Sequence, residues 1–177
     1  MDRTRVLGVD PGTRFTGWAV LEAAADGRSP TWLASGVIRL ASPAAVVSVR
    51  LLRLRRGLEA VLAEWLPQSL ALEAAFFGRN ARSALRLGEA RGAVMVTAAE
   101  AGLAVEELAP ALVKRRVAGA GQANKDQLAR MVRLQLELDR DFDQADETDA
   151  IAIALCALLE RSAPTGAVAG PLGARPA

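Results

Sequence analysis

The sequence predicts a mixed α/β sheet built within a single domain. Three apolar runs, at residues 4–10, 15–23 and 31–40, follow one another with turn-forming residues between them, which is typical of antiparallel strands. Two further apolar runs, at 69–73 and 104–108, each follow a long helical pattern. A helix between two strands allows those strands to lie parallel. We therefore expect five strands, flanked by helices, in one sheet.

The first helix is predicted from about Pro43 to Trp65, where apolar residues recur every three or four positions. Its apolar stripe consists of Val47, Leu51, Leu54, Leu58, Leu62 and Trp65, and the arginines off that stripe are Arg50, Arg53 and Arg56. Pro67 follows and ends the helix, because proline cannot continue the hydrogen-bonding pattern.

Four more helices are predicted along the rest of the chain. An Ala-rich helix occupies residues 80–101, and two shorter ones, at 111–117 and 124–138, are separated by the Gly-rich segment AGAGQA. The last helix runs from about Gln144 to Glu160. The folded domain is thus expected to span residues 1–161.

The composition limits both the location and the chemistry of the protein. The chain has 177 residues, of which 51% are hydrophobic, which suits one packed domain, while residues 162–177 hold three Gly and three Pro and are predicted to be a disordered tail. No apolar run reaches the ~18 residues of a membrane span, and the first residues lack a signal peptide's apolar segment, so a cytoplasmic protein without membrane contact is expected.

The amino acids that are missing exclude several kinds of site. The chain has no His and no Tyr, and its one cysteine, Cys156, lies in the apolar run AIALCALL. Nucleophilic systems built on His, zinc sites built on His or several Cys, and disulfides are therefore excluded. Carboxylates, Lys, Arg, hydroxyl groups and a bound metal or cofactor remain available for chemistry.

The charges are distributed unevenly, although the net charge is only +2. Arginine outnumbers lysine 20 to 2; residues 79–91 carry four Arg and one acid, and residues 139–149 carry six acids and one Arg. A basic helix beside an acidic cluster suits a protein that holds an anion next to a metal.

Four carboxylates stand where burial alone does not explain them. Asp10 and Glu73 each end an apolar strand, and parallel neighbouring strands would bring both to one sheet edge. Asp146 and Asp149 lie three apart at the start of the last helix and so share a face. Converging carboxylates need cations, and oxygen ligands favour Mg²⁺ or Mn²⁺. Two such ions, ~4 Å apart, form a clamp for phosphoryl transfer.

Each acid also has a local interpretation. Asp10 opens a DPGT sequence with the composition of a β-turn, and Asp146 and Asp149 could complement a helix dipole. Glu73 is harder to explain in this way, because a carboxylate directly after the apolar LAL is poorly placed for capping or solvation.

The chain resembles the RuvC-type Holliday junction resolvases of bacteria over about residues 5–160. The resemblance rests on four segments in order: LGVDPGTRFTGWAV, LALEAAFFGRNARSALRLGEARGAVM, LVKRRVAGAGQANKDQLARMV and QADETDAIAIAL. It implies a ribonuclease-H-like fold and a homodimer that nicks two opposed strands of a four-way DNA junction in recombination and repair. It also implies Mg²⁺- or Mn²⁺-dependent hydrolysis with 5′-phosphate and 3′-hydroxyl products, and a branch-migration helicase complex as partner.

The resemblance assigns roles to individual residues. The family's acidic motif corresponds to Asp10, Glu73, Asp146 and Asp149, although some relatives carry His at the third position. The residues implied in DNA binding are Phe76, which would stack on bases, its more variable neighbour Phe77, the phosphate contacts Lys114 and Lys125, and the helical stripe Arg79, Arg82 and Arg86. Gly88 and Gly92 lie on the helix that contributes the dimer contact in the family.

Ordinary structural roles remain open for these residues. One phenylalanine could pack under its loop, the arginines and Lys125 could be solvated helix positions, and core packing explains the two glycines equally well.

Three other functions compete with junction resolution. Sugar kinases and actin-like ATPases have a phosphate loop that reads like VDPGTRFTG, but they need a duplicated domain and a second phosphate loop. A related nuclease family acts in ribosomal RNA processing, but its chains are shorter and lack the EAAFFGRNARSALRLGEARG segment. A junction-binding protein that no longer cuts is the third, and the presence of all four acids gives it no support.

Overall fold

The order of strands and helices expected from the sequence is found in the computed structural model of the chain. The structure describes residues 3–24, 28–40, 42, 45–74, 81–140, 142 and 144–162, with the backbone alone at residues 81 and 82. The predicted disordered tail lies outside the described residues from position 163 onward, so its disorder and the domain boundary stay predictions.

In the part of the chain that the structure describes, five strands form one mixed sheet, as expected. They are β1 (Arg3–Pro11), β2 (Phe15–Ala24), β3 (Thr31–Arg39), β4 (Ser69–Glu73) and β5 (Ala104–Leu108). Their order across the sheet is β3-β2-β1-β4-β5. The first three strands are antiparallel neighbours, whereas β4 is parallel to both β1 and β5. The two acid-ending strands are therefore parallel neighbours, which is the arrangement that would bring both acids to one sheet edge.

Five helices accompany the sheet within the described residues, also as expected. They are α1 (Val47–Trp65), α2 (Ala81–Glu100), α3 (Pro110–Ala118), α4 (Lys125–Gln135) and α5 (Ala145–Arg161). None of them, in the part of the chain that the structure describes, is long and apolar enough to cross a membrane.

Two helix boundaries differ from the prediction. Helix α1 begins at Val47 and not near Pro43. Helix α4 begins after a capping box of Asn124 and Gln127, but it ends at Gln135 although the apolar pattern continues to residue 138. Glu137 has a left-handed backbone with φ of 52°, which interrupts the helical path.

The predicted apolar stripe of α1 is partly wrong. The buried residues of this helix are Arg50, Leu54, Leu58 and Val61, whereas Val47 is 39% exposed. Their spacing of four, four and three residues is one helical stripe, rotated from the expected one so that it passes through Arg50. Arginine can occupy such a position because its long aliphatic stem packs against apolar neighbours.

The two faces of the sheet carry different helices because side chains alternate along each strand. Leu7 and Val9 of β1 pack with α1 and α2 in one core. Val6 packs with α3, α4 and α5 in a second core on the opposite face. Cys156 of α5 is fully buried in that second core, as its apolar surroundings in the sequence suggest.

Helix α5 lies unusually close to β1 and β2 because two glycines leave room for its backbone. A Cβ atom on Gly8 would overlap the carbonyl oxygen of Ala150, and one on Gly17 would overlap the carbonyl oxygen of Asp146. No other residue type could occupy these positions without moving the helix. The first turn of α5 is thus fixed against the strand that pairs with Asp10.

We expect Gly17→Ala to lower the free energy of unfolding by about 1–3 kcal/mol, because the added methyl group must push the start of α5 away from the sheet. Thermal and chemical denaturation would measure this loss. Gly36→Ala in β3 is the matched control, because its Cβ would meet only the Trp18 side chain, at 3.2 Å. Equal stability of the two variants would contradict the proposed backbone contact.

Candidate active site

Two carboxylates meet at the carboxyl edge of the sheet. In the parallel pairing of β1 with β4, Val9 is the partner of Leu72, so the next residues on the two strands are Asp10 and Glu73. Side chains alternate between the two faces along each strand, so Asp10 points to the same face as Val6, and Glu73 to the same face as Ala71. Val6 and Ala71 face α5. The two acids therefore lie side by side on the face of the sheet that α5 covers.

The second pair of carboxylates comes from the first turn and a half of α5. Asp146 and Asp149 are partly buried there. The backbone of Asp146 rests on Gly17, which is the β2 partner of Asp10. The fold thus directs all four predicted acids toward one place.

A cavity of about 330 Å³ opens beside these acids. Its polar lining consists of Asp10, Glu73, Asp149, Lys114, Lys125 and Asn124. Its apolar walls are Pro110, Val113, Leu128 and Ile153. Both lysines singled out in the sequence therefore reach the acidic site.

Lys125 is paired with one of the acids. Its Nζ donates a hydrogen bond of 2.9 Å to Oδ2 of Asp149, and its side chain is 72% exposed. The hydrogen bond and charge of Asp149 raise the pKa of Lys125, so the ammonium group stays protonated.

The acids disfavour one another's ionised form. Burial, followed by the charges of Asp149, Asp146 and Glu73, raises the pKa of Asp10 to about 7. Burial and Asp149 also raise the pKa of Glu73, although Lys114 and Lys125 oppose that change. The pKa of Asp146 is raised by burial and by Asp149. The site holds more negative charge than its two lysines neutralise.

A hard divalent cation suits this donor set. The available ligands are carboxylate oxygens, which Mg²⁺ and Mn²⁺ prefer. A cation would also offset the burial and the neighbouring acids that raise the pKa of Asp10. Within the described ranges, no three carboxylates are gathered tightly enough to coordinate one ion as they stand. Coordination of one ion by three of these carboxylates therefore requires side-chain rotation.

Glu147, which the sequence did not single out, lies between Asp146 and Asp149 but points to the other side of the helix. It is buried, and its Oε1 accepts a 2.6 Å hydrogen bond from Ser35 of β3 and a 3.4 Å contact from Arg140. The Arg140 guanidinium in turn lies 5.3 Å from the centre of the Trp32 ring. Glu147 thus anchors the start of α5 to β3.

Arg91 belongs in the sequence to the basic residues of 79–91, but it is buried rather than solvated. Its guanidinium donates to the backbone carbonyl oxygen of Glu73 and pairs with Glu107 of β5. It therefore fixes the end of β4 from the face opposite the cavity. The spacing of the arginines in the sequence already indicated a different position for Arg91, because it lies off the helical stripe of Arg79, Arg82 and Arg86.

Several predicted DNA-binding residues cannot be placed. Phe76, Phe77 and Arg79 lie outside the described residues, and so does the side chain of Arg82. Arg86 is half-buried on α2.

We expect Asp10→Asn to stabilise the metal-free protein at neutral and higher pH. A carboxyl group whose folded-state pKa of about 7 lies above its ordinary 3.8 stabilises the fold fully at low pH and loses that contribution as pH rises through 7. The amide cannot lose a proton, so thermal unfolding in a chelator at pH 8 should give a melting temperature at least about 3 °C above the parent. The difference should nearly vanish at pH 4.

Glu64→Gln is the control for this experiment, because it removes the charge of an exposed acid on α1. It should leave the melting temperature of the parent unchanged at both pH values. A melting temperature of Asp10→Asn at or below that of the parent at pH 8 would contradict the electrostatic description of the site.

Comparison with known proteins identifies the family. A family model described as crossover junction endodeoxyribonuclease RuvC matches residues 6–157. The crossover junction endodeoxyribonuclease RuvC of Halorhodospira halophila is 45% identical over 168 residues, covering 94% of this chain and 98% of that protein. The corresponding protein of Myxococcus xanthus is 50% identical over 155 residues, covering 87% of this chain and 80% of that protein.

A solved structure of Thermus thermophilus RuvC in complex with Holliday junction substrate has a TM-score of 0.82 and 34% identity to this chain. It covers 89% of this chain and 95% of the Thermus chain. The likeness confirms the ribonuclease-H-like fold expected from the sequence. Because the family model and the relatives extend over most of its length, this chain belongs to the RuvC family of crossover junction endodeoxyribonucleases.

Proposed function

We propose that the protein resolves four-way DNA junctions by hydrolysing one phosphodiester bond in each of two opposed strands. The observation that supports this most strongly is a cavity lined by Asp10, Glu73, Asp149 and two lysines, in a chain of the RuvC family. Asp146 does not line that cavity, but its charge contributes to the raised pKa of Asp10. Sealable 5′-phosphate and 3′-hydroxyl ends are the expected products. The biological setting is recombination and repair.

The four carboxylates are proposed to hold Mg²⁺ or Mn²⁺, two ions in each site. Bound there, the metal would activate a water molecule and stabilise the charge that develops on the phosphate. Asp10 must be deprotonated to act as a ligand, and at neutral pH its raised pKa leaves part of it protonated. Metal binding and proton release are therefore coupled at this residue.

The two lysines have separate proposed roles. Lys114 lines the cavity, and its side chain would contact the non-bridging oxygens of the scissile phosphate. Lys125 is paired with Asp149 in this structure, so its release on metal binding would free both the acid and a cation for phosphate. Neither lysine is proposed to transfer a proton.

The remaining DNA contacts are proposals from the family resemblance. Phe76 would stack on bases at the junction centre, with Phe77 as the alternative aromatic residue. Arg79, Arg82 and Arg86 would follow the phosphate backbone. All five lie on the segment or helix that follows Glu73, so they would contact DNA entering the same site.

A homodimer is proposed through α2. Leu85 and Val96 are exposed apolar residues, at 65% and 55%, and they share a helical stripe with Gly88 and Gly92. A Cβ at either glycine would meet nothing within 4 Å, so packing inside this chain does not require glycine there. Close approach of a second α2 helix would use all four residues. A cytoplasmic location and a branch-migration helicase partner stay predictions from the sequence.

We expect Asp10→Asn to reduce junction cleavage by at least about 10³-fold while changing junction affinity by less than threefold, because it removes a metal ligand but no phosphate contact. A synthetic four-way junction, incubated with Mg²⁺ or Mn²⁺ and analysed on denaturing gels, measures paired nicking. Gel-shift titration in a chelator measures affinity.

Glu64→Gln should cut like the parent in the same assay. If the parent binds the junction but does not nick it at any Mg²⁺ or Mn²⁺ concentration, the proposed cleavage is wrong and the protein is a junction-binding protein that does not cut. Cleavage of RNA in preference to the junction would favour the RNA-processing alternative, and phosphate release from ATP alone would favour the kinase-like one.

We expect Gly88→Arg to convert the protein to a monomer and to abolish paired nicking, because a long charged side chain prevents close helix contact. Sedimentation velocity at micromolar concentration measures the mass. Ala63→Arg adds the same charge at an exposed position of α1 and should remain dimeric. A dimeric Gly88→Arg variant would show that the interface lies elsewhere.

A further inference from the structure

Two arginines, which lie on or beside the same sheet as Asp10 but away from the cavity, have no role in the acidic site described above. Arg14 lies in the turn between β1 and β2, and Arg39 ends β3. Their guanidinium carbons lie 5.8 Å and 5.6 Å from the centre of the Phe15 ring. Both arginines are exposed, and neither pairs with a carboxylate of any residue that the structure describes.

The register of the sheet places Phe15 and Arg39 on the face that holds the acids. Phe15 is the partner of Arg39, and Gly17, two residues along β2, is the partner of Asp10. Residues two apart on a strand, and partners on neighbouring strands, point to the same face. Two residues along the strand and two strands across it correspond to about 12 Å between the backbones of Arg39 and Asp10.

The acidic site therefore has cations on both flanks. Lys114 and Lys125 line the cavity on the side of β4 and β5, and the arginine pair lies on the side of β2 and β3. Two guanidinium groups beside one ring repel each other, and no acid among the described residues neutralises them, which disfavours the arrangement unless an anion joins it. Contact with the ring also restricts their orientation before any ligand binds.

We propose that Arg14 and Arg39, ordered by Phe15, form a phosphate-binding site for the DNA strand that enters the active site. A phosphodiester group matches the paired donors of a guanidinium, and binding at a phosphate is independent of base sequence. The strand would then be held within a few nucleotides of the scissile bond, on the flank opposite the two lysines. Both arginines are positioning residues in this inference, which rests on the proposed junction cleavage.

The test measures junction affinity against salt concentration in the Asp10→Asn background, where DNA is not consumed. Removing one arginine–phosphate interaction should reduce the slope of log affinity against log salt by about 0.9. Arg14→Ala and Arg39→Ala should each show that reduction, and the double variant should show about twice it. Arg39→Lys keeps a positive charge and should retain most of the slope.

Two further measurements separate a DNA contact from a structural effect. In chains that keep Asp10, Arg14→Ala or Arg39→Ala should increase the KM for junction cleavage severalfold. The kcat at saturating junction should stay within about twofold of the parent. A junction with a neutral methylphosphonate at the contacted position should bind the Arg39→Ala variant and its parent equally well. Arg53→Ala, which removes an exposed arginine from α1 on the other face of the sheet, is the control and should keep the full slope.

An unchanged salt slope in the double variant, in a parent that cuts junctions, would overturn this inference and leave the proposed function intact. A parent that neither binds nor cuts junctions would instead overturn the proposed function. A reduced slope accompanied by a fall in kcat at saturating junction, with KM unchanged, would also contradict a positioning role for the arginines.

Discussion

The site depends on the backbone contact between α5 and the β1–β2 hairpin. Gly8 and Gly17 allow the carbonyl groups of α5 to rest on the strands, and no side chain could be inserted there without separating the two layers. This contact brings acids from the start of a helix to acids at the ends of strands. Glu147 fixes the same helix end from the side, through Ser35 and Arg140.

Gathering these acids opposes folding, and the surrounding structure offsets that cost. The raised pKa values of Asp10, Glu73 and Asp146 are the sign of charges that are poorly solvated and mutually repelling. Lys125 offsets part of the charge by pairing with Asp149, and Arg91 holds the end of β4 from the opposite face. Acidic functional sites commonly lower stability in this way, which is a known relation between stability and function.

The sequence predicts the strands and helices well, and it draws attention to the acids, because both follow from local patterns. Alternation, helical periodicity and strand-ending carboxylates are properties of a few neighbouring residues. The roles of Gly17, Glu147 and Arg91 are not local, since each depends on an element distant in sequence that packs against it. The exposed Val47 and buried Arg50 of α1 differ from the prediction for the same reason: the rotation of a helix is set by the surface it covers.

Strand alternation also separates the functions of the two faces. Side chains in register with Asp10 face α5 and carry the proposed chemistry, and those in register with Val9 face α1 and α2, where the proposed dimer contact lies on the outer surface. A shift of one residue between β1 and β4 would send one of the two strand acids into the wrong core. The buried pairs Leu7–Leu70 and Val9–Leu72 therefore specify the active site as well as the fold, because a register shifted by one residue would bury a carboxylate among apolar side chains.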